Sequence, residues 1–139
     1  MLVALVIVGC SSTGAIDGPV LTSPAQFFGP PDGMAAEVTG VLLFDESANC
    51  LLLELEGVQY PIVWPAGTRW QEDPPAVISK DREPMEPGMT VYGAGGYLYR
   101  GHVEELSGSA VAEATERCAG PTGETAFFNI EGEVDVLPG

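Results

Sequence analysis

Basic residues are scarce in this chain of 139 residues. Five Lys and Arg stand against twenty Asp and Glu, which gives a formal net charge of −15. Nucleic-acid affinity comes largely from Lys and Arg side chains that neutralise phosphates. The charge balance therefore argues against nucleic acid as a partner and favours a glycan, a peptide or another protein.

Residues that carry common catalytic chemistry are also few. His102 is the single histidine, and one histidine cannot form a histidine-based metal site alone. The chain has no C-x-x-C motif, and the glycine run at 93–96 lacks the G-x-G-x-x-G spacing of a dinucleotide site. We therefore predict no catalytic residue, no metal site and no cofactor.

Paired carboxylates keep one enzymatic alternative open. Adjacent carboxylates usually only solvate a surface, yet one pair follows His102 closely in sequence. The alternative function is an acidic-residue or metal-dependent hydrolase that uses carboxylates near His102. The acidic pairs are Asp45-Glu46, Glu72-Asp73 and Glu104-Glu105.

The apolar run at the start of the chain is too short to cross a membrane. It covers residues 2–9, and eight residues rise only about 12 Å in a helix, against a membrane core of roughly 30 Å. A short apolar run that ends in a small residue and a cysteine is typical of a signal peptide.

The run ends in the order Ile7-Val8-Gly9-Cys10, with small residues after it. This order resembles the lipobox of bacterial lipoproteins. The resemblance implies that residues 1–9 are a signal peptide, that Cys10 is the lipidated first residue of the mature protein, and that the domain is exported and anchored to a bacterial membrane by lipid. Signal peptides open with Lys or Arg, and the first basic residue here is Arg69, so we expect this one to be truncated at its start. A plain secreted protein is the alternative.

The cysteine count agrees with export. Three cysteines would leave one unpaired. If Cys10 carries lipid, Cys50 and Cys118 remain as a pair, and a disulfide that closes a loop of about 68 residues contributes roughly 4 kcal/mol in the chain-entropy model. Two buried free thiols are the alternative.

Composition divides the chain into a tether and a domain. Residues 10–33 are dense in Gly, Pro, Ser and Thr without a sustained period, which is typical of a flexible linker. Phe27-Phe28 is the exception, since two aromatics suit docking better than solvent. We expect a single disulfide-stapled domain over residues 34–139.

Strand patterns dominate this domain. The clearest unit is a hairpin over 50–64, in which a Glu56-Gly57 turn places Leu55 opposite Val58 and Leu53 opposite Tyr60 on one apolar face. Glycines in two strands suggest sharp bends or close backbone approach. Further strands are expected at 38–44 and 89–98, and at 125–136 as one strand or two interrupted at Gly132. A long connection is expected at 65–87 with a short strand at 76–78, and one short helix at 109–118.

Five strands, one short helix and glycine-marked bends resemble a small OB-like Greek-key barrel. The fold class is therefore all-β in the main, an antiparallel barrel of about five strands. The segment ANCLLLELEGVQYPIVWPAGT also looks like small exported bacterial proteins. That resemblance implies location and fold and carries no chemistry.

Aromatic residues give the remaining indication of function. Five of them gather around the long connection and the glycine-rich strand, where exposed rings would form a ligand-contact platform; the alternative is that they fill the core. We interpret the protein as a non-catalytic binding or assembly module for a glycan, peptide or protein partner, and a structural accessory subunit of an envelope complex is a further alternative. The five aromatics are Trp64, Trp70, Tyr92, Tyr97 and Tyr99.

A substitution at Cys10 tests the lipid anchor. Cys10→Ala removes the only thiol that a lipobox would lipidate, so lipid labelling is expected to vanish and the protein to move to the soluble fraction. The measurement is fractionation of cells fed a labelled fatty acid. Unchanged membrane retention of the variant would contradict the anchor.

Overall fold

Strands make up most of the computed structural model, which describes residues 14–24, 36–79, 82–119, 123–129 and 133–137. The motif Ile7-Val8-Gly9-Cys10 and the pair Phe27-Phe28 lie outside the described residues. In chain order the strands are β1 Ile16–Asp17, β2 Val20–Thr22, β3 Ala36–Asp45, β4 Cys50–Leu55, β5 Val58–Trp64, β6 Arg69–Glu72, β7 Pro75–Ile78, β8 Thr90–Tyr99, β9 Glu124–Phe128 and β10 Asp135–Val136, and the helices are α1 Arg100–Ser107 and α2 Ser109–Arg117.

Five of these strands close into a barrel. β3 pairs with β4, β4 with β5, β5 with β9, β9 with β8, and β8 with β3. The predicted mainly-β barrel of five strands is thus confirmed. Within this ring the β5–β9 pair is parallel, with Ile62 opposite Ala126, so the barrel is not antiparallel throughout.

The β4–β5 hairpin has the register that the sequence predicts. Leu55 lies opposite Val58, and Leu53 lies opposite Tyr60. Glu56 and Gly57 connect them with φ values of 53° and 80°, and positive φ at both positions is typical of a type I′ turn, which suits the twist of adjacent strands.

Strand β5 changes partners halfway along its length. Its first half pairs with β4 as far as Pro61, and its last half pairs with β9 from Ile62. Val63 also lies opposite Leu21 of β2, so β2 takes over from β4 as the second neighbour of β5. Pro61, which has no N–H to donate, lies at this change of partners.

Glycines permit the tight closure of the barrel. A Cβ added at Gly40 would lie 2.6 Å from the carbonyl oxygen of Glu54, and one at Gly95 would overlap the carbonyl oxygen of Phe127. Neighbouring backbones therefore approach more closely than any side chain allows. The close approach expected at the glycine-marked strands is confirmed at both positions.

Two apolar clusters lie on opposite sides of the barrel wall. The first fills the interior around Trp64 and Phe128, whose ring centroids are 5.4 Å apart. The second lies between the helices and the strands β2, β5 and β9. Burial on both sides explains why Ile62, Val63 and Trp64 are apolar in succession, since alternate residues of one strand face different clusters. The second cluster contains Leu21, Val63, Val103, Val111, Ala112, Ala114 and Phe127.

Residues 14–24 belong to the folded domain, which corrects the tether expected over residues 10–33. β2 extends the sheet beside β5, and β1 pairs with its other edge. Val20 packs in the interior cluster and Leu21 in the cluster under the helices, and both are nearly fully buried. The glycine here forms a turn rather than a linker, because Gly18 has a φ of 56° between two paired strands.

A second helix corrects the expected count of one. α2 coincides with the helix predicted at 109–118 except for its last residue, and α1 directly precedes it. The sequence signal of α1 is weak because it holds few apolar residues and a glycine at 101. Burial of Val103 against the second cluster supplies the stabilisation that local propensity lacks.

The long connection expected at 65–87 contains a hairpin. β6 pairs with β7, with Trp70 opposite Val77, so the short strand predicted at 76–78 has a partner that the sequence did not reveal. Val77 and Met85 exchange backbone hydrogen bonds of 2.8 and 2.9 Å and are both buried.

The predicted disulfide between Cys50 and Cys118 is confirmed. The two Cα atoms are 5.8 Å apart, although the residues are separated by 68 positions in the chain. Cys50 begins β4, and Cys118 follows the last residue of α2. The bridge therefore ties the helical layer to the barrel wall.

Reduction of this disulfide is expected to lower the thermal stability of the domain. A loop of this length gives a loss of roughly 2–4 kcal/mol when the cross-link is removed, through the greater entropy of the unfolded chain. The measurement is thermal unfolding with and without reductant. The Cys10→Ala protein is the suitable background, because Cys50 and Cys118 are then its only cysteines. Superimposable melting curves would contradict a stabilising bridge.

Candidate functional site

The barrel has two distinct ends. At one end β3 and β5 begin and β8 finishes, and this end holds Tyr60, Tyr97 and Tyr99. We call it the tyrosine end. At the other end β3 and β5 finish and β8 begins, and we call it the tryptophan end because Trp64 and Trp70 lie there.

Trp64 is part of the core, which corrects its assignment to a ligand platform. The side chain is fully buried inside the barrel and packs on Phe128. Its indole N–H has no hydrogen-bond partner. Trp64 therefore contributes to the stability of the fold and has no surface to offer a ligand.

Trp70 closes the tryptophan end. Its ring centroid lies 4.9 Å from that of Phe44 at the end of β3, and its backbone N–H donates to the Asp17 carboxylate at 2.9 Å. A Cβ added at Gly18 would lie 2.9 Å from the indole ring. The β1–β2 turn therefore packs directly against Trp70 and leaves it half-buried.

Tyr60 and Tyr97 form the centre of the tyrosine end. Their ring centroids are 4.9 Å apart with the planes inclined by 53°, an arrangement that aromatic pairs favour. Both rings are half-buried against the interior cluster. Tyr60 was not among the aromatics predicted to contact a ligand, although its place on the apolar face of the hairpin follows from the register.

Tyr99 extends this pair to the surface. It lies on the same face of β8 as Tyr97, two residues further on, and 62 % of its surface is exposed. Glu124 of β9 lies directly opposite Tyr99 in the strand register. The exposed ring of Tyr99 thus follows the half-buried pair of Tyr60 and Tyr97 along the same end of the barrel.

Two carboxylates lie near Tyr97 at the tyrosine end, and Arg100, which follows Tyr99, pairs with Glu116. Burial raises the pKa of Tyr97, and the nearby Tyr60, Glu124 and Glu37 raise it further, while the backbone of Thr39 opposes the shift. The buried Tyr97 hydroxyl has no hydrogen-bond partner of normal geometry. The tyrosine end therefore combines three aromatic rings with two nearby carboxylates.

Tyr92 lies away from the tyrosine end. It is the third residue of β8, with Thr39 of β3 on one side and Asp135 of β10 on the other, and it is half-buried. The five predicted aromatics accordingly do not form one platform. Tyr97 and Tyr99 are together, whereas Trp64, Trp70 and Tyr92 lie elsewhere in the barrel.

His102 and the acidic pair beside it lie on an exposed surface of α1. His102, Glu104 and Glu105 are all exposed. Within the described ranges, no three His, Cys, Asp or Glu side chains group closely enough to hold a metal ion. The structure thus brings no described carboxylate cluster to His102.

Asp45 has a local structural role. Its carboxylate accepts hydrogen bonds from the Ser47 hydroxyl at 2.7 Å and from the Ala48 N–H at 3.3 Å. These hydrogen bonds, that from Ser47 above all, hold the pKa of Asp45 below its ordinary value. The carboxylate therefore orders the turn between β3 and β4.

No protein-family model, no curated protein and no solved structure matches this chain. In the part of the chain that the structure describes, neither helix has the length and apolar character needed to cross a membrane.

Substitution of Tyr97 by Phe is expected to change the free energy of unfolding little at neutral pH, because the lost hydroxyl is buried without a hydrogen-bond partner of normal geometry. At alkaline pH the variant is expected to be the more stable protein. A pKa that is raised in the folded state means that the unfolded chain releases the proton first, so wild-type stability is lost as the pH rises above about 10.

Urea unfolding at pH 7 and above pH 10 measures both effects. Tyr99→Phe is the matched control, because it removes an exposed hydroxyl from the same strand. A clear loss of stability in Tyr97→Phe at pH 7 would show that the hydroxyl makes a favourable hydrogen bond and would contradict the prediction.

Proposed function

We propose that this protein is a lipid-anchored, non-catalytic binding module of the bacterial cell envelope, and that its tyrosine end contacts a protein partner. Lipid on Cys10 would hold the module to the membrane, with the barrel outside the cytoplasm. The geometry of Tyr60, Tyr97 and Tyr99 beside two carboxylates is the observation that carries the binding function.

The disulfide supports the exported location. Bonds of this kind persist in oxidising compartments and are rare in the cytosol of mesophiles. The bridge between Cys50 and Cys118 also leaves Cys10 without a partner among the three cysteines. That is the arrangement expected when the remaining cysteine carries lipid.

Aromatic chemistry supports a binding role for the tyrosine end. Tyrosine is enriched at protein interfaces, since a rigid ring gives a large contact area and a hydroxyl that forms hydrogen bonds. Tyr60 and Tyr97 are held in place by the core, and Tyr99 has most of its surface free for a contact. Little side-chain entropy is then lost from the buried pair on binding.

Charge supports a partner with Lys or Arg at its contact surface. The chain carries a net charge of −15, and Glu37 and Glu124 lie close enough to Tyr97 to affect its pKa. A Lys or Arg side chain placed over a tyrosine ring gains a cation–π interaction, and neighbouring carboxylates add attraction. This chemistry favours a basic protein segment over a neutral glycan.

Capture of the partner from native envelopes tests the proposal. The wild-type protein is expected to enrich a specific protein, identified by mass spectrometry, and Tyr99→Ala to reduce that enrichment by about tenfold or more, the effect of losing an interface anchor. Higher salt should weaken the capture, because exposed charges are screened.

Leu137→Ala is the matched control for this experiment. Leu137 is an exposed apolar residue, at 41 %, and its N–H donates to Thr90 at the opposite end of the barrel. The control should capture the partner as well as wild type does. Equal capture by Tyr99→Ala, recovery of a glycan in place of a protein, or recovery of abundant envelope proteins alone would each contradict the proposal.

A further inference from the structure

Gly14, the first residue that the structure describes, is fixed in place, and we call it the exit point. Its N–H donates to the carbonyl oxygen of Ser107 at 2.8 Å. A Cβ added at Gly14 would overlap the carbonyl oxygen of Thr22 and lie 3.1 Å from the Val111 side chain. Gly14 is therefore packed against β2 and against the junction of the two helices.

The next residues hold this exit point to the core. Ala15 and Thr22 exchange backbone hydrogen bonds of 3.2 and 2.9 Å. Thr22 in turn lies opposite Trp64 in the parallel pairing of β2 with β5. Release of Gly14 would require the loss of these hydrogen bonds and the separation of the edge strand β1 from β2, whose residues Val20 and Leu21 are buried.

A lipid on Cys10 is consequently very close to the domain. Only residues 11–13 separate Cys10 from Gly14, and four Cα-to-Cα steps span at most about 14 Å. A flexible linker over residues 11–33 would instead have a root-mean-square extension of roughly 27 Å. The anchor thus holds the domain against the membrane surface and does not let it stand away.

The surface around the exit point suits contact with a bilayer. We define the exit corner as residues 14–16 together with residues 108–110 at the helix junction. The corner contains no ionisable side chain, and Ile16, at 50 % exposure, is one of its exposed members. In a chain of net charge −15, a corner without charged side chains repels anionic headgroups less than the acidic residues around it, of which the exposed Asp17 is the nearest in sequence.

The exit corner and the tyrosine end lie at opposite ends of the barrel. Trp64, beside the exit, and Tyr60 are four residues apart on β5, which corresponds to about 13 Å. Helix α1 gives the same result, since it runs from Tyr99 to Ser107, and eight helical residues rise about 12 Å. Two separate elements therefore place the tyrosine end on the far side from the exit.

We infer that the exit corner rests on the bilayer surface and that the tyrosine end faces away from it, toward the partner. This orientation rests on the proposed lipid at Cys10. Although only residues 11–13 separate Cys10 from Gly14, this orientation lets the domain present its aromatic surface to a protein that approaches from outside the membrane.

Energy transfer to a labelled membrane tests the orientation. The lipidated full-length protein is reconstituted in vesicles of phosphatidylcholine and phosphatidylglycerol with an acceptor dye on headgroups. A donor dye is attached at Ala110→Cys in the exit corner or at Gln59→Cys near the tyrosine end; both residues are exposed. The donor at residue 110 should transfer energy to the headgroup acceptor several-fold more efficiently than the donor at residue 59, because the anchor lies within about 14 Å of Gly14.

A variant with ten Gly and Ser residues inserted between Thr13 and Gly14 is the matched control. It keeps the lipid and the fold but lengthens the connection between Cys10 and Gly14. The difference in energy-transfer efficiency between the two donor positions should therefore become smaller. Equal transfer from both positions in the unextended protein, or an unchanged difference after the insertion, would overturn the orientation while leaving the anchor intact. Failure of the protein to sediment with the vesicles would overturn the anchor itself.

Discussion

Strand β5 is the constraint on which the rest of the structure depends, because it joins the barrel strands β4 and β9 to the N-terminal strand β2. β4 occupies its first half, and β9 and β2 share its second half. Its side chains alternate between the interior cluster and the cluster under the helices. Strand β5 therefore connects the barrel, the helical layer and the N-terminal strands β1 and β2.

Closure of so small a barrel requires backbones to approach more closely than side chains permit. Gly40 and Gly95 meet that requirement where β3 and β8 curve, since a Cβ at either position would collide with a neighbouring carbonyl oxygen. The parallel β5–β9 pair needs a crossover connection, and the chain between them includes β8 and both helices. The helices then cover the outer side of the wall, and the disulfide secures them.

The same strand separates the proposed binding surface from the proposed site of anchoring. Tyr60 lies near the start of β5 and Trp64 ends it, so one strand places both the tyrosine end and the exit corner near Thr22. Helix α1 spans the same interval on the outside of the barrel. If Cys10 carries lipid as proposed, the placement of Gly14 at one end and the aromatic surface at the other would give the anchored domain a defined orientation, which a long linker would not.

Features that depend on neighbouring residues could be read from the chain alone. The Glu56-Gly57 turn and the alternation around it are local, and so the register of the hairpin was predictable. The pairing of Cys50 with Cys118 was predicted from the number of cysteines together with the assignment of Cys10 to lipid. Distant contacts decided the rest. The docking of Val20 and Leu21 beside β5, the burial of Trp64 and the separation of Trp70 from Tyr97 follow from closure of the barrel. Closure brings together strands far apart in sequence, and no local pattern of residues records which side chains it will bury.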